Sequence, residues 1–274
     1  MKLSHSDDKG MVDSLAYSVE KVSGIPVYCG DHLSVLEEMD RNIRGARDPA
    51  WISITNTESM YHAKRIPSHR DYIEAARYSL CDGVGVVLAG WFQEKKIPRY
   101  NGPVLMIESC EYGTERGWRH FFCGGKEGVA DMLATKLKAK FPMIEIAGTF
   151  CPPFRPMTSE EEKEMIRRIN ESNADVIWVG LGLLKQEGWI EAYHKRLNVP
   201  WLVGVGAAFD FHAGTARWAP AWIRKIGFEW LYRLFVEPRM FIRNYYSFVF
   251  LVEAIKKAFV MRIGQYIKGG TLAK

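Results

Sequence analysis

The chain has 274 residues, 47% hydrophobic and 25% charged, which are the values of an ordinary globular protein and leave room for one large α/β domain or a domain with an appendage. Its five cysteines (Cys29, Cys81, Cys110, Cys123 and Cys151) contain no C-x-x-C pair, a spacing that excludes a disulfide framework or a zinc site and suits a reducing cytoplasm. The net charge of +5 is unevenly placed: from Arg217 to Lys274 eleven Lys and Arg meet three acids, while the remaining residues carry 26 basic and 29 acidic side chains. Thirteen aromatic residues share that basic tail. Such a mixture suits an anionic partner, whether a membrane surface, a diphosphate or a nucleic acid; a solvated basic helix is the plainer alternative. Residues 1–19 lack the apolar core of a signal peptide. No uncharged apolar run approaches the roughly 18 residues of a membrane span, and the longest candidate near the end, Asn244 to Val252, is too short.

In chain order, residues 1–23 read as a weakly ordered extension with some helix. Ile25-Pro26-Val27-Tyr28 opens the domain. Leu33, Leu36 and Met39 recur at helical spacing, so a helix is expected over His32 to Arg44 with Asp31 as its cap. Trp51 to Asn56 alternates like a strand. Parallel α/β sheets bind ligands at the carboxyl ends of their strands, so Asn56 is placed to face a ligand, although a turn-forming Asn fits the spacing equally well. Helices are expected from Thr57 through Ala63 and from Asp71 to Ser79. In Cys81-Asp82-Gly83-Val84-Gly85-Val86-Val87-Leu88, Asp82 is read as an acid at the edge of a buried strand; a lone Asp in this setting more often caps a turn. Arg99 stands in a loop before Gly102, ordinarily a surface position, but a guanidinium suits a diphosphate.

Phe121 to Val129 reads as strand, glycine turn and helix, the helix running from Val129 to Lys140. The amides of a turn such as Gly124-Gly125 before a helix N-terminus suit an anion, but neither a Walker A loop nor G-x-G-x-x-G is present. Ile144 to Thr149 is the next strand, and Ser159 begins a helix with a capping box to Glu162 that ends near Asn170. Asp175 to Gly182 is a buried strand with a glycine exit. Gln186, just beyond, is either a ligand contact or an N-terminal residue of the helix through His194. Trp201 to Val205 is the last strand and enters a glycine turn at Gly206, where the backbone can approach a ligand closely. From Pro220 the character changes: Trp222, Ile226, Trp230 and Leu234 form an apolar i, i+4 stripe with arginines and lysines around it. The alternation of strands and helices argues for a Rossmann-like, mainly parallel sheet flanked by helices, with a helical basic and aromatic appendage. The expected divisions are an N-terminal extension (1–23), an α/β catalytic domain (24–215) and an appendage (216–274).

The stretch GVGAAFDFHAG (Gly204–Gly214), followed by GFEWLYRL and EPR with a further Arg at 243, closely resembles the signature of the WecG/TagA/CpsF glycosyltransferases. The resemblance implies transfer of a sugar from a UDP-sugar to a membrane-anchored, polyprenyl-diphosphate-linked saccharide, with no cofactor and no nucleic-acid partner. It implies a peripheral protein on the cytoplasmic face of the cell membrane, resting by its appendage on anionic lipid; separately, the apolar stripe of the appendage offers a surface that homo-oligomers could bury. Asp82 matches the acid of the family's D-G-x-G-V-V, and this implies the general base that deprotonates the acceptor hydroxyl. Arg99 matches the family's E-R-x-x-G step, with Pro98 in place of the acid, and Gln186 matches G-x-P-K-Q-E-x-W, with Leu184 in place of the proline. Gly124 and Gly125 look like part of the nucleotide site. The family Thr two residues before Asn56 is Ile54 here, with hydroxyls beside it at Ser53 and Thr55. Arg233 and Arg243 match family arginines; Met240 stands where the family often has another, which leaves Arg239 beside it. Asp210, a rival base, is placed by the resemblance in a structural role, bonding the glycine turn.

The chain contains no Asp-x-Asp, no H-E-x-x-H and no His/Cys cluster at metal spacing. Arginines and backbone amides would then have to neutralise a departing UDP. Two other classes remain open from the residues: a non-catalytic nucleotide or lipid-diphosphate binding protein at the membrane, and a dehydrogenase, disfavoured because Gly204-x-Gly206 lacks the third glycine and comes last in the sheet.

Overall fold

The structure, a computed structural model, describes residues 18–237 and 240–271, with side chains as far as Ile263. The first two strands, β1 (Val19–Val22) and β2 (Ile25–Tyr28), form an antiparallel hairpin. Residues 19–22, expected in a weakly ordered extension with some helix, are therefore strand, and the boundary expected after Ser23 falls in the hairpin turn; residues 1–17 lie outside the described residues. Then follow α1 (His32–Arg44), β3 (Ala50–Thr55), α2 (Thr57–Ala63), α3 (Pro67–Ala75), β4 (Tyr78–Cys81), α4 (Val84–Phe92), α5 (Gly102–Thr114), β5 (Arg119–Gly124), α6 (Val129–Lys140) and β6 (Glu145–Phe150). The second half comprises α7 (Ser159–Glu171), β7 (Val176–Gly180), α8 (Lys185–Tyr193), β8 (Trp201–Gly204), α9 (Ala208–Ala213), α10 (Ala221–Lys225), α11 (Glu229–Val236) and α12 (Met240–Thr271).

Strands β3 to β8 form one six-stranded sheet in the order β4-β3-β8-β7-β5-β6, with every described pairing parallel. Side chains alternate across it as the pleat requires. Val176, Trp178, Trp201 and Val203 enter a core beneath α1, α5, α6 and α9; Ile177, Val179 and Leu202 enter a second core shared with α2, α3, α7 and α8. With both faces covered, the central strands β7 and β8 read as continuous apolar runs rather than alternating ones. The fold is Rossmann-like.

Four local expectations are corrected. The apolar run after Asp82 is the helix α4, and the strand is the short β4 before it; a short apolar run carries no periodicity to separate the two. The helix expected over Asp71–Ser79 lies earlier, as α3 with Pro67 in its first turn. The capping box of α7 is made by Thr158 and Glu161, one residue before the expected pair. The i, i+4 stripe from Trp222 to Leu234 is divided between α10 and α11, which break at Gly227 with φ +84°.

The helix α12 lies against α2 and α4 and buries Phe250, Ala254 and Ala258 at i, i+4 and i+8. Among the described residues no helix is long and apolar enough to cross a membrane. The three acids of the tail all turn inward: Glu229 pairs with Arg99, Glu237 with Arg233, and Glu253 with Lys64 and Arg65 of the segment after α2.

Candidate active site

Strands β3, β4, β7 and β8 end on one side of the sheet, and a cavity of about 360 Å³ opens there beneath α11 and the start of α12. Asn56, Asp82, Arg99, Gln186, Gly206, Arg233 and Arg243 all line it. The cavity thus brings together Asn56 and Arg243, which lie 187 positions apart in the chain. Arg239 lies outside the described residues.

Asp82 follows β4 directly, and its backbone N–H donates to Thr55 O at 2.9 Å, which holds the end of β4 to β3. Among the described residues no side chain hydrogen-bonds its carboxyl. Burial first, and then the Glu229 carboxylate, raise the pKa of that carboxyl to about 6 against the opposing pull of Arg99, Arg243 and Arg233. The group is therefore mostly ionised at pH 7 yet binds a proton far more readily than a solvated aspartate.

Each cavity arginine is already engaged. Arg99 donates to Glu229 Oε2 at 3.2 Å and to Arg224 O at 2.8 Å. Arg233 Nε and Nη2 reach the two carboxylate oxygens of Glu237 at 3.2 and 3.4 Å. Arg243 Nε donates to Glu58 Oε2 at 2.5 Å, joining α12 to α2. Glu58 and Glu229 were not singled out in the sequence. Their signal was position: Glu58 lies two residues after Asn56, and Glu229 is one of only three acids in the basic tail.

Asn56 caps a helix and stands at the cavity wall. Its Oδ1 accepts from Ser59 N at 2.8 Å at the N-terminus of α2. Gln186, in the first turn of α8, is buried; its Nε2 donates to Glu187 Oε1 at 3.1 Å, while its Oε1 has no partner among the described residues. Burial pushes the Glu187 carboxyl up to about 7. The place of Gln186 depends on Gly204, where an added Cβ would stand 2.9 Å from Gln186 Nε2. Leu184, where the family has proline, adopts φ +67°. A proline ring holds φ near −65°, so the loop before Gln186 takes a backbone that proline could not.

Thr55, Gly124 and Gly125 do not line the cavity. Thr55 is fully buried, its hydroxyl 3.1 Å from that of Ser53 and 2.9 Å from that of Ser79, a chain of hydroxyls inside the sheet. Gly124 sits at φ +124° with its Cα against Gly180, where a Cβ would come within 2.7 Å of the Gly180 carbonyl carbon. Gly125 N donates to Gly180 O at 2.9 Å. These two glycines serve the close approach of β5 and β7. Asp210 accepts from the Thr215 hydroxyl at 3.0 Å, beyond the glycine turn it was expected to bond. No group of three or more His, Cys, Asp or Glu able to hold a metal occurs among the described residues.

Chemically, the cavity joins one unengaged carboxylate of near-neutral pKa to three guanidinium groups at the carboxyl ends of parallel strands, a setting for proton abstraction beside a stabilised anion. The family model described as Glycosyl transferase WecG/TagA/CpsF family matches residues 20–263. Three curated proteins named N-acetylglucosaminyldiphosphoundecaprenol N-acetyl-beta-D-mannosaminyltransferase are similar to the chain. The one from Bacillus subtilis (strain 168) is 26% identical over 220 residues, 80% of this chain and 84% of the relative. That from Bacillus spizizenii is 29% identical over 69% of this chain and 72% of the relative, and that from Staphylococcus aureus (strain NCTC 8325) 27% identical over 68% and 72%.

Proposed function

As the chain belongs to the WecG/TagA/CpsF family of glycosyl transferases, we propose that it moves a sugar from a UDP-sugar to a polyprenyl-diphosphate-linked saccharide in the synthesis of a bacterial cell-surface or wall polymer. The observation that carries this reading is the single unengaged carboxyl, Asp82, set among Arg99, Arg233 and Arg243 in one cavity. Asp82 takes the proton of the acceptor hydroxyl, whose oxygen attacks the anomeric carbon in line as the bond to UDP breaks, inverting that carbon. Arg233 and Arg243, with Arg239, stabilise the departing diphosphate, and no metal is required. To do so Arg233 and Arg243 exchange Glu237 and Glu58 for phosphate oxygens. Asn56, Arg99 and Gln186 hold the donor and the base.

The named reaction of the relatives suggests the first substrates to offer: an N-acetylmannosamine donor and a GlcNAc-diphospho-polyprenyl acceptor. The tail supports a peripheral place on the cytoplasmic face of the membrane. Trp222, Phe235 and Phe241 are 66, 80 and 71% exposed, and Lys225, Lys256, Lys257 and Arg262 are exposed near them in sequence. Away from lipid, the same surface would pair copies of the chain.

The test is release of UDP from UDP-N-acetylmannosamine in EDTA, with and without the acceptor, in detergent. Acceptor-dependent release that survives EDTA and disappears in Asp82→Asn is expected. UDP binding without turnover of any UDP-sugar would favour a non-catalytic binding protein instead.

A further inference from the structure

The cavity is polar at one end and apolar at the other. From α12 it is lined by Met240, Arg243, Asn244, Ser247, Phe248 and Leu251, a stripe about 16 Å long at the helical rise. Facing it along α4 are Val84, Gly85 and Leu88. Near Asp82 the stripe presents donors: the Arg243 guanidinium, and Asn244 Nδ2, which is buried without a hydrogen-bond partner among the described residues. Two turns further on it presents only hydrocarbon.

The apolar end does not close. Leu88 is 39% and Phe248 66% exposed, and Trp91, one turn beyond Leu88 on α4, is 66% exposed. Large apolar side chains left open along the wall of a cavity mark a place for an apolar ligand. At its polar end the stripe is tied to α2 by Arg243–Glu58, and on its other flank Glu253 pins α12 to Lys64 and Arg65, which leaves the apolar end of the stripe to the α4 side.

We propose that the seam between α4 and α12 is the channel for the hydrocarbon chain of the lipid-linked acceptor, with Leu88, Phe248 and Leu251 as its walls and Trp91 at its mouth. The inference rests on the function proposed above and assigns the lipid to residues of the catalytic domain as well as the tail. The polarity of the seam follows that of such an acceptor, sugar and phosphates first and isoprenoid after. A sugar nucleotide alone has no hydrocarbon to cover this surface, and a second copy of the chain would have to enter a seam continuous with the catalytic cavity.

The test compares two acceptors, both in detergent so that membrane docking does not enter: GlcNAc-diphospho-undecaprenol and the same head group on a single isoprene unit. The readout is the ratio of their kcat/KM values. Leu88→Ala/Phe248→Ala is expected to lower the long-to-short ratio at least tenfold, mainly through KM for the long acceptor, and Trp91→Ala to lower it less. An unchanged ratio, with both acceptors losing equally or neither losing, would overturn the channel. Wild-type protein that transfers sugar to neither acceptor would instead refute the function on which the channel depends. A thermal melt of each variant, with UDP binding alongside, identifies loss through misfolding, and Leu88→Met/Phe248→Leu, which keeps the hydrocarbon, should hold the wild-type ratio.

Discussion

Replacing Asp82 by Asn keeps the shape of the side chain and removes its capacity to accept a proton, so activity and stability should move in opposite directions. Loss of a positioned general base lowers the rate by about 10²- to 10⁴-fold, or about 3–5 kcal/mol of barrier. In the wild type, a pKa of about 6 means that the base is about 90% ionised at pH 7 and about 10% at pH 5. kcat/KM should therefore fall close to tenfold between those pH values, whereas an aspartate at the ordinary value of 3.8 would lose almost nothing. The same shift bears on folding. The folded-state pKa lies above the unfolded one, so the wild type loses stability as pH rises from 3.8 to 6 and stays at the lower level above it. The full gap corresponds to about 3 kcal/mol, reduced by whatever water the open cavity supplies to the carboxylate. Asp82→Asn should then be more stable than wild type at pH 7 and equal to it near pH 3.5. UDP release across pH 5–8 and urea denaturation at the two pH values test both halves. A flat rate profile together with an Asn protein of undiminished activity would refute the assignment.

Three further outcomes are expected. Arg243→Ala leaves Glu58 buried without its partner and loosens α12 from α2; it should cost about 1–3 kcal/mol in denaturant unfolding and reduce transfer, with Arg243→Lys restoring more stability than turnover. In Gly204→Ala the new methyl meets Gln186, so activity should fall at least tenfold and the melting temperature by only a few degrees; if turnover is retained, Gln186 does not hold the donor or the base. Reversing Lys256 and Lys257 to Glu should weaken binding to phosphatidylserine vesicles by more than tenfold, at about 1 kcal/mol for each basic residue lost, with the difference shrinking at high salt; sedimentation of the vesicles measures it.

The sheet and its helices were legible where periodicity was long. The bounds of α6 were read without error from the glycine turn and the helix after it, and Asp31 caps α1 as its spacing indicated. The apolar run after Asp82 did not declare itself a helix because α4 is apolar around most of its circumference, so neither period stands out. The helix α5 was missed: its amphipathic signal is weak, although Asn101 before Gly102-Pro103 is a good start signal. Motif matching located the lining residues contributed by strand ends, but not which neighbouring residues serve only packing. Thr55 lies one step from Asn56 and turns its hydroxyl to Ser79 inside the protein, a difference of one step in a period of two, and Gly124 lies with its Cα against Gly180. The pairing of Glu58 with Arg243 could not be read, because the two are 185 positions apart and joined by tertiary structure alone.

The order of strands carries a consequence for biosynthesis. β8 lies between β3 and β7, so the middle of the sheet is supplied by the last strand to be made. Ala50 of β3 pairs with Trp201 of β8, and at usual translation speeds the ribosome needs about 8–30 s to cover the interval. Until then the nascent chain holds two unjoined groups of strands, β3 with β4 and β5 with β6 and β7, whose exposed edges can pair wrongly. Nascent chains truncated before Trp201 should therefore be protease-sensitive and engaged by chaperones, and completion of the sheet is followed closely by emergence of the aromatic tail. The surface suited to lipid is thus exposed only after the enzyme behind it has a centre to fold around.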